Sequence, residues 1–161
     1  DAHLTALAGL VERLDQETHG TDLYKLAADL SMDLDELLPI VEAGEKVGFL
    51  MVHKGDLLLT QLGQTYAQSG VLARKEMMAS RILRLPTILW IYETLRQDAN
   101  QRVDRGYFLS QLEHDFGDHA GSQLDTAVSW GRFAELFGYD DIRNEIFLEP
   151  EDSELEAATR E

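Results

Sequence analysis

Four side chains that could bind a metal ion lie close together in the second half of the chain: His114, Asp115, Asp118 and His119. Imidazole and carboxylate groups are competent zinc ligands, and a metal held by them would activate water in a small metallo-hydrolase. The spacing lacks the His-x-x-x-His pair that would put two imidazoles on one helical face. We therefore predict an exposed polar loop without a metal, with a histidine at a helix C-terminus, where the helix dipole favours it.

The sequence contains none of the common catalytic motifs. It has no G-x-x-x-x-G-K-[ST] loop to hold phosphates and no G-x-S-x-G turn to present a nucleophile. It also has no cysteine, which excludes thiolate metal sites, disulfides and cysteine nucleophiles. We predict that the chain is not an enzyme and that it has no catalytic residue, cofactor site or metal site of its own.

The charge balance is strongly acidic. Thirty acidic residues against fourteen basic ones give a net charge of −16. Nucleic acid is bound mainly by lysine and arginine that displace counterions from phosphates, so DNA and anionic membranes repel a chain of this charge. No segment approaches the roughly 18 consecutive apolar residues of a membrane helix, and we expect no direct membrane insertion.

Hydrophobic spacing in the first half predicts three helices, a hairpin and a fourth helix. The first three are expected around Leu4–Leu14, from a Thr21 cap to Leu30, and from Ser31 to Gly48. Strand-like runs at Phe49–His53 and Leu57–Thr60 follow, joined by a tight turn, and then a helix over Gln61–Gln68. Three helices followed by a hairpin is the order of a winged helix-turn-helix.

The end of this hairpin carries a recognisable short motif. Residues 59–63 resemble the L-T-x-x-G sequence that closes the wing in many winged-helix regulators. Thr60 is expected to cap the helix that follows, and Gly63 to permit close packing beneath the wing.

The second half predicts a similar order of elements. Val71–Leu85 is a connecting helix, and Pro86 is placed as the first residue of the next one. The predicted elements after it are a helix over Thr87–Gln97, a turn at Asp104–Gly106, a short helix, a loop at Asp118–Gly121, a helix capped by Ser122, a turn around Asp140 and a strand at Ile146–Leu148.

These patterns predict a mainly α fold with small β-hairpins, arranged as tandem winged helix-turn-helix-like units. The predicted divisions are residues 1–70 for the first unit, 71–85 for the connecting helix, 86–149 for the second unit and 150–161 for an acidic tail.

Charge argues against the usual use of such units, which is to read DNA. The helix that would enter the major groove is Ser31–Val47 in the first unit and Ser122–Phe137 in the second. The former carries five carboxylates against one lysine, and the only base of the latter is Arg132. We therefore expect protein contacts rather than DNA binding, with a winged-helix transcriptional regulator as the alternative.

Two helices carry candidate contact residues. The connecting helix contains the one clearly basic cluster, which includes Arg74, Arg81 and Arg84. This cluster is either ordinary surface charge or a contact for an acidic surface of a sister subunit or parent domain. The helix Thr87–Gln97 is apolar nearly all round, which is typical of a helix between units or subunits. Its candidate contact residues are Trp90 and Tyr92.

A longer string gives a more specific signal. Residues 127–140, AVSWGRFAELFGYD, resemble the W-G-R-Y-A-E-L-F-x-Y-D signature of the C-terminal AAA-associated domain. That domain follows the ATP-binding domain in some ABC transporter ATPases of the nitrate/sulfonate/taurine/bicarbonate type. The resemblance covers roughly Leu23–Leu148, and Phe133 stands where tyrosine is common.

The resemblance implies a non-catalytic regulatory or protein-interaction domain at the cytoplasmic face of the membrane. Its expected partners are the parent ATPase domain or a sister subunit, with a homodimer as a further expectation. ATP and magnesium are expected only in that ATPase domain, so no functional residue is carried over to this chain. Because the sequence begins at Asp1 rather than Met, we expect it to be cut from the C-terminal end of a larger protein.

The signature residues are expected to be structural. Trp130, Phe133 and Phe137 would anchor the last helix in the core, and Gly131 would allow a close crossing. Arg132 would form an ion pair with Glu135 or Asp140. The candidate structural or contact residues of this segment are Trp130, Arg132, Phe133, Tyr139 and Asp140.

Overall fold

A computed structural model describes residues 1–17 and 19–149 of the chain. The structure is mainly helical and contains two small three-stranded antiparallel sheets, which confirms the predicted mainly α fold with small β-hairpins. The chain divides into two compact units, Asp1–Ile82 and a second that begins at Leu83. The predicted acidic tail, 150–161, lies outside the described residues.

The first unit combines helices with one sheet. Its elements are α1 Ala2–Leu14, β1 Thr21–Asp22, α2 Leu23–Asp29, α3 Leu34–Val47, β2 Leu50–His53, β3 Asp56–Leu59, α4 Gln61–Gln68 and α5 Val71–Leu83, the last residue of α5 falling in the second unit. The strand order is β1-β3-β2. The predicted hairpin is confirmed, with Leu50 opposite Leu59 and His53 opposite Asp56.

Local hydrogen bonds set the ends of these helices. The predicted stop at Gly48 is confirmed, because this glycine has a φ of 87°, which residues with a Cβ rarely adopt. The predicted starts at Thr21 and Ser31 are wrong. Thr21 pairs with Leu57 in the sheet, and the Asp22 carboxylate accepts the Lys25 N–H as the cap of α2.

Helix α3 begins later than predicted because an acidic pair closes its first turn. Its N-cap is Asp33, and the Glu36 carboxylate accepts the backbone N–H of Asp33 at 3.3 Å. Ser31 instead has a positive φ of 54° in the connection before the helix. Side chains from α1, α3 and the sheet form the core of the unit, and its fully buried members include Leu4, Leu7, Val11, Leu37, Val47, Phe49 and Leu57.

The second unit repeats the order of the elements from α1 to β3. It contains α6 Pro86–Gln97, β4 Arg102–Asp104, α7 Arg105–Phe116, a 3₁₀ turn Gly117–His119, α8 Ala120–Phe133, β5 Gly138–Asp140 and β6 Glu145–Phe147. The strand order, β4-β6-β5, has the same pattern as in the first unit. Buried side chains of this unit include Ile88, Ile91, Leu95, Phe108, Leu124, Phe137 and Ile146.

Three predicted boundaries in the second unit differ from the structure. Asp104–Gly106 is not a free turn, because Asp104 ends β4 and its carboxylate accepts the Gly106 N–H as the cap of α7. The predicted loop at Asp118–Gly121 is helical. Ser122 lies inside α8, where its hydroxyl donates to the His119 carbonyl rather than capping the helix. Pro86 does open α6, as predicted.

The junction of hairpin and helix in the first unit has the role that the L-T-x-x-G motif predicts. The Thr60 hydroxyl accepts the Gly63 N–H at 3.0 Å and donates to the Gly48 carbonyl at 2.6 Å. Gly63 is buried against the Phe49 carbonyl oxygen, and a Cβ at this position would overlap that oxygen.

Replacing Gly63 with alanine should destabilise the first unit by about 1–3 kcal/mol, because the backbone at Phe49 must move to admit the methyl group. Gly9→Ala is the matched control, since a Cβ there meets no atom within 4 Å. It should stabilise the same unit by about 0.5–1 kcal/mol, as a glycine-to-alanine change in an exposed helix does. Urea unfolding measures both. Equal stability of the Gly63→Ala and native chains would contradict the close packing.

Candidate interaction surface

The four candidate metal ligands do not form a site in the structure. His114 lies in the last turn of α7 and His119 in the 3₁₀ turn that follows. Both histidines and both neighbouring aspartates are exposed. Among the residues that the structure describes, no group of three histidine, aspartate or glutamate side chains could hold a metal ion.

Helix α3 presents an acidic face to solvent. Its apolar side, which includes Leu37, Ile40 and Val41, is buried in the first unit. The exposed charged residues of the helix are Asp35, Glu36, Glu42, Glu45 and Lys46. The face that a recognition helix would lay against phosphates thus carries four carboxylates and one ammonium group, an arrangement that repels DNA.

The structure uses two of the three candidate arginines of the connecting helix inside the first unit. Arg74 donates to the carbonyl oxygens of Tyr66 and Ala67 and pairs with Glu12. The Arg81 Nε donates to the Val47 carbonyl at 2.8 Å. Arg84 lies beyond the end of α5 and is exposed. The basic cluster expected from the sequence is therefore largely a set of internal contacts.

Helix α6 is less of a free apolar surface than its sequence suggests. It buries Ile88, Ile91 and Leu95 within the second unit. The Trp90 ring lies edge-on to Phe108, with 5.2 Å between ring centroids. The Arg96 guanidinium lies 5.8 Å from the centre of the Tyr92 ring. Its large apolar side chain with the most exposure is Leu89, of which 40% of the surface is accessible to solvent.

The signature string places two of its aromatic side chains in the core. Trp130 and Phe137 are buried, and a Cβ at Gly131 would overlap the Phe137 ring. Gly131 therefore allows the predicted close approach, with Phe137 as the neighbour. Phe133 was expected to anchor the helix in the core. It is the last residue of α8, and 38% of its surface is exposed.

An arginine that the sequence did not single out organises the second sheet. The Arg102 Nε donates to a Glu145 carboxylate oxygen at 2.8 Å, and its Nη2 donates to an Asp140 oxygen at 3.1 Å. The same guanidinium lies 4.8 Å from the centre of the Phe147 ring. Arg132 was expected to pair with Glu135 or Asp140. The structure pairs Asp140 with Arg102 instead, because β4 joins β6 in the sheet.

The turn between β5 and β6 is closed by side-chain hydrogen bonds. The Asp140 carboxylate accepts the backbone N–H groups of Ile142 and Arg143, both at 3.1 Å. The Tyr139 hydroxyl donates to the Asn144 side-chain oxygen. Ile142 is held at the tip of this turn with 93% of its surface exposed. Tyr139 and Asp140 therefore shape this turn, whatever else they contact.

The first unit also contains an open cleft of about 340 Å³ beside α1 and α2. Its lining contains His19 and mixes both signs of charge, with Arg13 and Lys25 beside acidic residues that include Asp22 and Asp29. Arg13 and Asp29 lie 3.8 Å apart as an ion pair at its edge.

Of the helices described, none is both long and apolar enough to cross a bilayer.

Comparison with known families identifies the chain. A family model described as the C-terminal AAA-associated domain matches residues 24–140. The chain belongs to this family. The match confirms the resemblance that the signature string indicated, and it runs from α2 in the first unit to β5 in the second. Among curated proteins, no match to the chain was found.

The family is described as an accessory C-terminal domain. This description does not favour the alternative of a DNA-binding regulator, and the acidic face of α3 also argues against DNA binding. The matched region contains Arg102, Gly131, Phe137 and Asp140. The other two contacts of Arg102, Glu145 and Phe147, lie beyond its end.

The hydrogen bonds to Asp140 predict how the second unit responds to acid. The hydrogen bond from the Arg143 N–H is the main cause of the lowered pKa of Asp140. The hydrogen bond from the Ile142 N–H and the positive charge of Arg102 lower this pKa further. A carboxylate whose pKa is lower in the folded than in the unfolded chain stabilises the folded state. This stabilisation is fully present above the unfolded pKa, near 4, and it is lost as the pH falls through the folded pKa.

We therefore predict that Asp140→Asn lowers the stability of the second unit at neutral pH and flattens its dependence on pH below about pH 4. Asp141→Asn, at the adjacent exposed position, is the control and should leave both properties unchanged. Thermal unfolding from pH 2 to pH 7 measures them. An equally steep acid limb in Asp140→Asn and the native chain would contradict the role of these hydrogen bonds.

Proposed function

We propose that this chain is a regulatory, protein-interaction domain attached to the ATP-binding subunit of an ABC transporter that imports small anions or organic anions. The family match over residues 24–140 carries the proposal. The signature string at 127–140, which resembles that of the nitrate/sulfonate/taurine/bicarbonate type, supplies the transporter class. The domain then works at the cytoplasmic face of the membrane, beside the ATPase domain or a sister subunit. A further form of this proposal is a homodimer, in which the domain contacts a second copy of itself.

Each unit is, in this proposal, a winged helix. Both run helix, short strand, helix, helix and hairpin, and in both the last strand pairs with the first strand and with the strand before it. The Thr60 cap and the packing of Gly63 under the hairpin support this for the first unit. Two such units in one chain provide two wings and two exposed helix faces for contact with a partner.

Catalysis in this proposal belongs to the attached ATPase domain. The chain has no phosphate-binding loop, so ATP and magnesium are bound elsewhere and the domain contributes none of their ligands. Its effect on ATP turnover then comes from contacts that favour one arrangement of the ATPase domains over another. A contact shifts the equilibrium between two arrangements only to the extent that it is stronger in one than in the other.

The acidic face of α3 supports a protein as the partner. Its exposed carboxylates would be repelled by phosphates, whereas a basic protein surface is attracted to them and is oriented by them. Among the described residues, the exposed members Asp35, Glu42 and Glu45 form none of the ion pairs of the structure. They therefore remain available to a partner.

The rate of ATP hydrolysis tests this proposal. The rate of the complete ATP-binding subunit should differ from that of the same subunit lacking residues 1–161, because the domain biases the ATPase. Glu42→Gln with Glu45→Gln should remove much of this difference, since it halves the carboxylates that α3 exposes.

The matched control changes two exposed carboxylates outside α3, in Glu113→Gln with Asp115→Asn on α7. It should keep the native difference in rate. Equal rates with and without the domain would contradict a regulatory function. A loss of the difference in both double variants alike would contradict the assignment of the contact to α3.

A further inference from the structure

Strand β2 is an edge of the first sheet, and it is apolar. Among the described residues, only β3 pairs with it. Proline and charged side chains commonly protect such an edge from pairing with another chain, whereas β2 has the sequence LMVH, with no proline, lysine or carboxylate. Met51 and Val52 are 46% and 38% exposed. The edge is therefore open to a further strand at these two residues.

The register of the hairpin decides which backbone groups of β2 face outward. The Thr60 N–H donates to the Phe49 carbonyl at 3.0 Å, and hydrogen-bonded pairs alternate along an antiparallel ladder. Met51 and His53 therefore bond to β3, whereas the N–H and carbonyl of Val52 point away from it. Among the described residues, no hydrogen bond from outside the sheet reaches either group of Val52.

Only the half of β2 beside the turn is open. The backbone groups of Leu50 point the same way as those of Val52, but this residue is only 3% exposed. At the other end, Lys54 and Gly55 have φ values of 51° and 81°, as in the two-residue turn whose twist matches that of paired strands. Val52 is thus the position at which a further strand can form hydrogen bonds.

We propose that β2 pairs with β2 of a second copy of this chain, antiparallel and with Val52 on the two-fold axis. Val52 offers one donor and one acceptor, so a two-fold rotation brings each N–H opposite the other copy's carbonyl. Met51 of each copy then lies opposite His53 of the other. The pairing specifies the contact of the homodimer form of the proposed function, and it rests on that function for the role of the dimer.

Charge and backbone geometry both favour a second copy as the occupant. The net charge is −16, so two copies repel each other wherever their carboxylates meet. Residues 46–55 contain no carboxylate, and the pairing places a thioether against an imidazole. A second copy also presents the same unpaired groups of Val52, whereas a different partner must supply an unpaired strand of its own.

Sedimentation equilibrium of the full chain tests the dimer. The native chain should associate reversibly, and association should strengthen with added salt, which screens the repulsion between two acidic copies. Met51→Glu should abolish association, because it places a carboxylate at each paired edge. The matched control is Val71→Glu, which adds the same charge at a 77% exposed residue of α5 and should leave association close to native.

A second variant tests the backbone hydrogen bonds. Val52→Pro removes an N–H that faces outward and none of the bonds between β2 and β3, a placement that an edge strand tolerates. It should abolish association because both bonds on the axis lose their donor. Circular dichroism shows whether the chain remains folded, and Met51→Glu decides the test if it does not.

Disulfide formation tests the register. The sequence has no cysteine, so each introduced thiol is the only one in its chain. Opposed residues of a non-hydrogen-bonded pair have Cα atoms about 4.5 Å apart, which a disulfide bridges, whereas diagonal neighbours lie about 7–8 Å apart. Under mild oxidation, a mixture of Met51→Cys and His53→Cys chains should therefore cross-link faster than either variant alone.

Four results would overturn the proposal. A native chain that stays monomeric at every concentration would remove the pairing, and it would leave the ATPase test of the proposed function unaffected. A dimer that persists in folded Met51→Glu or Val52→Pro would place the contact elsewhere, and so would a dimer that weakens with added salt. Equal cross-linking of the mixture and of the single variants would contradict the register around Val52.

Discussion

The scarcity of basic residues, and their use inside the molecule, is the constraint on which this structure depends. Fourteen basic residues face thirty acidic ones, and several arginines hold elements together rather than meeting solvent. Arg74 and Arg81 bind carbonyl groups at helix ends, Arg102 joins the strands of the second sheet, and Arg105 pairs with Asp125 between α7 and α8. These arginines are therefore part of what holds the elements of each unit together.

The features that sequence analysis predicted correctly are those with a local cause. The stop at Gly48 and the cap at Thr60 each follow from one residue's conformational or hydrogen-bonding properties within a few positions of the chain. The close packing of Gly63 against Phe49 is not local, and it was predicted from the L-T-x-x-G motif. The helix spacing was equally informative, because a 3.6-residue period persists over several turns. A mainly α fold with hairpins follows from these signals together.

The features that it missed depend on partners far along the chain. Strand β1 has two residues and shows no alternation, and only its pairing with Leu57 and Asp56 defines it. Strand β4 is similar, and without it nothing in the sequence places Arg102 beside Asp140 and Glu145. The role of two arginines on α5 was missed for the same reason, since a count of charges does not show that Arg74 and Arg81 lie against carbonyl groups.

The functional account rests on family membership for the class of protein and on charge for the kind of partner. It is tested most directly by a gel shift of the full chain with duplex DNA at low salt, where electrostatic attraction to phosphates is strongest. The account predicts no shift at any concentration, because the exposed face of α3 repels phosphates. A shift that weakens steeply as salt is added would contradict it, since this would show a phosphate-binding face on a chain that we describe as built for protein contact.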